Sequence, residues 1–450
     1  MAPIAAPTTL TGRLGQLGPG LIISAAIVGS GELIVVPKLG AAAGFSLLWF
    51  LVLGCVLKVF VQIELARHAI AHQETTLTSL AALPGPRWRV SWVVWAWMLM
   101  YCGTVLQVGG IIGGITLICG MLGLNGPPWV WLVLTTGSGM ALLVSGRYGP
   151  VERYSTLMVA IFTVSTLVAV CVLQWTAYRV TGAQWLEGLW PTRPDNFTIA
   201  FAAFGVTGVG ASELIYYPYW CLEKGYGRNV GPPGPASTTT AVERANWTMR
   251  ARGWLGVMRL DAFVSMVIYT LATVGFYVLG AAVLHQTAPN ATDAELLPAL
   301  ADMYRHSLGE GSTLLFLAGA LAVLYSTFFV ATASNARLLI DAAGLLGVPG
   351  VAPSGSTEQR RRAIRNACLF LPLASAAAYV VFPQPVTLVL IGAVGQGLML
   401  PLLAGAAVYF RHRRLPPDLA PSAAWTAALW VSALLISVVG AYQLSTMVLR

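Results

Sequence analysis

Uninterrupted apolar runs of about 20 residues recur along this chain, and no other feature restricts its fold so strongly. A run of that length crosses the hydrocarbon core of a bilayer as a helix, because every backbone N–H and C=O must be satisfied without water. Such segments fall near residues 19–37, 45–66, 91–122, 128–145, 154–174, 199–221, 257–284, 313–340, 366–382, 386–410 and 423–448. The expected fold is an all-α membrane protein of about 11 transmembrane helices. Charged residues make up 10% of the 450 positions, against roughly a quarter in a soluble domain, which excludes an ordinary cytosolic enzyme. A phosphate-cradling loop with Gly-Lys-Ser/Thr is absent from the sequence, so ATP-driven pumping has no support.

The formal net charge of +9 comes almost entirely from Arg, with Lys only at Lys38, Lys58 and Lys224. These charges lie between the apolar runs, which makes lipid headgroups the expected partner and argues against nucleic acid. Arg67, Arg87 and Arg89, then Arg147 and Arg153, then Lys224 to Arg252, Arg360 to Arg365 and Arg411 to Arg414 occupy alternate loops. That side is expected to be cytoplasmic, with the N-terminus inside and the C-terminus outside. The opposite loop from His285 to Gly311 is acidic, with Asp293, Glu295, Asp302 and Glu310. Heavy Ala and Arg usage suits a GC-rich bacterial genome and hence an inner-membrane location. The residues up to Leu17 lack an apolar core with a cleavage site, so no signal peptide is expected. Cys55, Cys102, Cys119, Cys171, Cys221 and Cys368 occur singly and read as small packing residues. Nothing points to an obligatory protein partner. Gly225 to Thr240, with Gly231-Pro232-Pro233-Gly234-Pro235, and Pro353 to Ser356 read as non-helical connectors.

An internal repeat locates the candidate site. Gly29-Ser30-Gly31-Glu32-Leu33-Ile34 in the first span recurs as Gly210-Ala211-Ser212-Glu213-Leu214-Ile215 in the sixth, and Pro37 and Pro218 each follow their glutamate by five residues. A repeat unit of five helices turns its second copy upside down, and in such inverted repeats the first helix of each unit is discontinuous at the bilayer midplane. Gly29, Gly31 and Gly210 are expected to supply the backbone freedom for the breaks. A buried glutamate costs at least about 2.5–3.5 kcal/mol on insertion scales. Two of them 4–6 Å apart would repel by about 3–4 kcal/mol at an effective dielectric near 20. A bound cation or a shared proton relieves that cost. The bland alternative is that Glu32 and Glu213 are neutral, hydrogen-bonded structural acids.

The residues resemble the Nramp divalent-metal transporters nearly end to end. Gly18-Pro19-Gly20 opens the first span as in that family, and Gly40-Ala41 with Gly44-Phe45-Ser46-Leu47-Leu48-Trp49 matches the entry to the second. Ala66-Arg67, Glu74-Thr75 and Gln396 with Leu400-Pro401 extend the likeness. The resemblance implies a LeuT-like inverted five-helix repeat with broken helices 1 and 6. Where the family carries Asp-Pro-Gly-Asn this chain has Gly29-Ser30-Gly31-Glu32, and where it carries Met-Pro-His-Asn this chain has Gly210-Ala211-Ser212-Glu213. The metal-binding Asp and the thioether that favours soft metals are thus both missing. Carried over position by position, the carbonyls of Ala26 and Thr207 line the site, Glu32 and Glu213 supply charge, and Gln396 adds an amide oxygen. Gly29, Ser30 and Gly210 complete the substrate-binding set. Such hard donors suit Mg²⁺, Ca²⁺ or Mn²⁺. The third span from Trp92 to Gly110 has no carboxylate, so proton coupling of the family's kind is not expected. Transport is either uncoupled or coupled through Glu32 and Glu213.

The resulting expectation is a single transporter domain over residues 1–450, with repeat one at about 17–175, repeat two at about 198–411 and an extra helix at about 423–448. It would move a divalent metal cation such as Mn²⁺, Mg²⁺ or Fe²⁺ by alternating access, as substrate and not as cofactor. The rival is an amino-acid or organic-amine symporter of the same fold; a sensor lacks the soluble domain it would need. Lys58 either pairs with a site carboxylate or snorkels to the interface, and stands outside the site. Arg259, Asp261, Arg337 and Asp341 read as interfacial anchors. Tyr216, Tyr217 and Tyr219 read as packing, with a pocket floor or gate as the functional alternative. His68 and His72, four apart, have only Glu74 as a third ligand and are discounted as a metal face.

Overall fold

The structure, a computed structural model, describes residues 3–124, 126–144, 148–192, 197–232, 240–309, 311–348 and 357–449. Arg147, Pro233 to Pro235, Glu310 and Pro353 to Ser356 lie outside the described residues. Nine helices among the described residues are long and apolar enough to cross a membrane, and two shorter apolar helices, Pro128–Val144 and Val159–Leu173, bring the set to the eleven expected. In chain order the first span is Pro19–Ala43, the second Leu48–His72, the third Trp92–Met121, the sixth Phe197–Glu223 and the seventh Ala241–Thr287. The eighth is Ser312–Leu345, the ninth Glu358–Val381, the tenth Pro385–Arg413 and the eleventh Ala423–Val448. The exception to helix is a two-residue ribbon pairing Arg87–Trp88 with Val90–Ser91.

Both repeat-bearing spans are broken. The first runs as an α-helix over Pro19–Ile27, is interrupted at Val28 to Ser30, winds as a π-helix over Gly31–Val35 and resumes as an α-helix over Val36–Ala43. Pro37 explains the wide turn: it has no N–H to close the α-ladder behind it, so the register before it loosens. The sixth span breaks between Phe197–Val206 and Ala211–Glu223. Here Gly208 takes φ +58°, in the left-handed region that a β-carbon disfavours. The glycine freedom expected at Gly29, Gly31 and Gly210 is therefore spent at Gly208. Gly29 and Gly210 serve close approach instead: a β-carbon on Gly29 would run into the Thr327 side chain of the eighth span.

Other close approaches hold the breaks in place. The backbone of Gly40 faces the Tyr277 carbonyl and that of Gly280 faces Pro37, so a β-carbon at either would come within 2.7 or 2.6 Å of a carbonyl oxygen. Gly205 lies equally tight on Ala393 and Gly397 of the tenth span. Asp261, buried at 1% exposure, accepts from Gly18 N at 2.9 Å, Gly20 N at 2.5 Å and Tyr217 Oη at 3.0 Å. It caps the orphan N–H groups that open the first span. This corrects the interfacial reading of Asp261.

Three further differences concern helix lengths and loops. The seventh span begins at Ala241, well before residue 257, because Thr240 and Glu243 form a reciprocal capping box that starts the helix early. Arg244, Arg250 and Arg252 thus ride on a helix. A short helix, Tyr226–Val230, opens what was expected to be a non-helical connector. The acidic loop contains the helix Asp293–Leu308, whose start is capped by Glu295; bonds from the Thr292 N–H and hydroxyl hold the Glu295 carboxyl below the usual carboxylate range. Arg67 is buried inside the second span, where its Nε donates to Glu64 Oε1 at 3.0 Å; Trp425 of the eleventh span donates to the same oxygen at 2.6 Å.

Candidate functional site

The two breaks strand backbone groups that regular helix would have paired, and the neighbours of each break satisfy them differently. At the sixth span, Ser212 N donates to Gln396 Oε1 at 3.0 Å. Gln396 Nε2 donates to Gln107 Oε1 at 2.8 Å, and Gln107 Nε2 donates to Ser30 Oγ at 3.4 Å. Thr104 Oγ1 and Ser212 Oγ lie 3.3 Å apart. A chain of amides and hydroxyls therefore links the first, third, sixth and tenth spans where the breaks meet.

This chain forms part of the wall of a cavity of about 30 Å³. Its polar lining comprises Ser30, Thr104, Gln107, Ser212, Glu213, Tyr216, Thr327, Asn335 and Gln396, and Ala26 and Gly31 contribute backbone. Since about 10–15 Å³ of such space holds a water, the cavity has room for one or two waters or for an ion that has shed part of its shell. Drug-sized ligands occupy roughly 300–1,000 Å³.

Glu213 is the carboxylate on this wall. Its Oε1 accepts from Tyr216 Oη at 2.8 Å. Gly210 makes room for the rest: a β-carbon there would lie 2.6 Å from both Glu213 Oε2 and Gln396 Oε1 and 3.1 Å from the Gly205 carbonyl oxygen. Three oxygens of different kinds thus crowd one glycine. Asn335, 4% exposed, lines the same cavity, and its side-chain oxygen has no hydrogen-bond partner among the described residues. An unpaired buried amide oxygen is costly and suits a site that takes up a cation or its water.

Glu32 lies elsewhere. It is fully buried, absent from the cavity wall, and its Oε1 accepts from Gly208 N at 3.3 Å and Thr273 Oγ1 at 3.1 Å. Its Oε2 has no hydrogen-bond partner among the described residues. Lys58, within electrostatic reach of both Glu32 and Glu213, donates to the carbonyls of Phe204, at 2.7 Å, and of Thr207. The Thr207 carbonyl expected to face a substrate is therefore engaged by Lys58. Of the residues singled out from sequence, the structure brings Ala26, Ser30, Glu213 and Gln396 to one cavity and sets Gly210 behind it. Glu32 and Thr207 belong to a second cluster with Lys58, and Gly29 is covered by Thr327. Lys58 neither snorkels nor makes an ion pair within 4 Å among the described residues.

Sequence reasoning missed Thr104, Gln107 and Asn335. The available signal is the Gln107 amide within an otherwise apolar stretch of the third span, a polar group that needs a partner at that depth. The tyrosines after Glu213 do more than pack: Tyr216 donates to Glu213, Tyr217 to Asp261 and Tyr219 to Asp341 at 2.7 Å. No group of three or more His, Cys, Asp or Glu side chains able to hold a metal occurs among the described residues, and His68 with Glu74 at 3.8 Å does not make one.

The family profile described as natural resistance-associated macrophage protein-like (Nramp) matches residues 20–446. Among solved structures, a mutant of the Eremococcus coleocola manganese transporter is similar at a TM-score of 0.67 and 13% identity, covering 99% of this chain and 90% of that one. MhsT in complex with L-phenylalanine is similar at 0.54 and 15%, covering 94% and 98%. Mhp1, a nucleobase-cation-symport-1 family transporter with bromovinylhydantoin bound, is similar at 0.53 and 13%, covering 99% and 96%. At such identities the likeness is one of fold, the LeuT-like arrangement. No curated protein sequence matches the chain.

Proposed function

The chain belongs to the natural resistance-associated macrophage protein-like (Nramp) family, and on that premise we propose that it is a secondary transporter carrying a divalent metal cation across a membrane by alternating access. One observation carries the reading: the Glu213 carboxylate, the Asn335 and Gln396 amides and the Ser30, Thr104 and Ser212 hydroxyls meet at a cavity of about 30 Å³ beside both helix breaks. All of these donors are hard oxygens, which favours Mg²⁺, Ca²⁺ or Mn²⁺ over Fe²⁺ or softer ions. A lone carboxylate in such a lining leaves the remaining coordination of a hard ion to neutral oxygens and to the one or two waters the cavity can hold. The cavity size weighs against the amino-acid or organic-amine alternative, whose substrates exceed the one or two waters that this space holds.

The Glu213 cluster is the substrate site in this proposal, with Ala26, Ser30 and Gln396 beside it and Gly210 as the gap that lets the oxygens converge. Repeat one at about 17–175 and repeat two at about 198–411 each contribute one broken helix to it and access alternates around that pair, with the arginine-rich loops and the N-terminus in the cytoplasm and the C-terminus outside the inner membrane. The test is uptake into liposomes of purified protein, with Mg²⁺, Mn²⁺, Ca²⁺ and Fe²⁺ offered beside amino acids and amines. Metal flux with mutual competition among the hard ions is expected. Amine- or amino-acid-dependent current without metal flux would overturn the proposal.

A further inference from the structure

The second polar cluster, away from the cavity, has the form of a cation site already filled by the protein itself. Lys58 lies midway along the second span with 0% exposure. Its Nζ donates to the carbonyls of Phe204 and Thr207, and sits 5.0 Å from the centre of the Phe204 ring. In an unbroken helix those carbonyls would accept from Gly208 N and Ala211 N. The break removes both bonds, and Gly208 N turns to Glu32 Oε1 instead. Gly54, one turn before Lys58, leaves the space in which the Phe204 ring covers the lysine stem: a β-carbon there would lie 3.0 Å from the ring.

Two sources of negative potential thus converge on one ammonium: the carbonyls freed at the C-terminal end of the half-helix Phe197–Val206, and the buried Glu32 carboxyl, whose Oε2 has no hydrogen-bond partner among the described residues. Unwound carbonyls and half-helix C-termini are the groups with which broken-helix transporters hold a monovalent cation. We propose that Lys58 is a built-in cation occupying a carbonyl-and-carboxylate site in the sixth-span break, so that this site is closed to inorganic ions and fixes the break permanently. The ammonium replaces an exchangeable partner with a tethered one, and removing the side chain opens a place for a small monovalent cation. The inference stands on the Lys58 cluster alone and does not depend on which substrate the Glu213 cavity takes.

The test reads thermal unfolding of the purified full-length protein in detergent, in NaCl, KCl, methylammonium chloride and choline chloride at matched ionic strength. Wild type is expected to melt at one temperature in all four. Lys58→Ala is expected to melt lower in choline and to recover by about 5 °C or more in sodium or methylammonium, the gain expected when a ligand binds only the folded state. Lys58→Met fills the space without charge and is expected to stay destabilised in every salt, with partial recovery on adding Glu32→Gln. If Lys58→Ala yields folded protein only when sodium or methylammonium is present throughout purification, that is the same positive result. Two outcomes overturn the proposal: Lys58→Ala and Lys58→Met melting like wild type, or Lys58→Ala destabilised equally in all four salts or recovered in none.

Discussion

The first and sixth spans carry one motif and put it to two uses. Each has a break, a glutamate shortly after it and a proline five residues beyond the glutamate. In the first span the break passes into a π-turn and Glu32 is carried toward the sixth-span break and the seventh span, onto Gly208 N and Thr273. In the sixth the break is an open stretch with left-handed Gly208, an ordinary α-helix follows, and Glu213 faces the cavity. The difference lies outside the motif. Gly208 N and Thr273 hold one acid away from the cavity, while the bare backbone of Gly210 leaves the other in reach of Gln396. A repeat in sequence therefore transmits the backbone device without transmitting the chemistry.

Exchanging the properties of the two breaks should separate these roles. The largest expected effect is on flux: Glu213→Gln should lower divalent uptake by roughly 10- to 100-fold with melting preserved, the cost of losing a charged ligand worth about 1.5–3 kcal/mol. Glu32→Gln should do the reverse, lowering the melting temperature while uptake per folded molecule changes little. Equal loss of flux from both variants, with melting unchanged, would break the comparison. Next comes a pair of glycines. Gly210→Ala should weaken uptake by about tenfold, because its methyl displaces both Glu213 and Gln396 oxygens, an overpacking cost of roughly 1–3 kcal/mol. Gly31→Ala meets only Val206 at 3.3–3.4 Å and should be tolerated in the same concentration-dependent uptake assay. The smallest effect is expected from Tyr216→Phe, which removes one hydrogen bond to Glu213 and should raise the apparent KM by about threefold, a loss near 0.5–1 kcal/mol.

Span number, the broken helices and the place where they meet were legible in the sequence, because a bilayer leaves the backbone few choices and the repeat marks its own symmetry. The orientation of Glu32 was not. It rests on a backbone N–H in the sixth-span break and on a threonine of the seventh span, and no local pattern encodes that convergence. The glycine that adopts positive φ was misjudged for a related reason: Gly29, Gly208 and Gly210 are alike as letters, and only the packing of Thr327, Gln396 and Glu213 around them tells close approach from left-handed turn. Gln107 and Asn335 carry no charge to mark them in the sequence, although in a water-poor site an amide oxygen is a ligand in its own right.

The tyrosine series on Ala211–Glu223 has a mechanical consequence. Within four residues, three phenolic hydroxyls reach three separate acids: one at the cavity, one clamping the start of the first span and one on the eighth span. Twisting this half-helix about its own axis would release the bonds to Asp261 and Asp341 together, while the Tyr216–Glu213 bond lies within the half-helix and turns with it; carrying the half-helix along with the base of the first span, the seventh span and the eighth would release none. Its low-energy motion is consequently a swing as part of a larger block, and the cavity acid travels with the block without turning inside it.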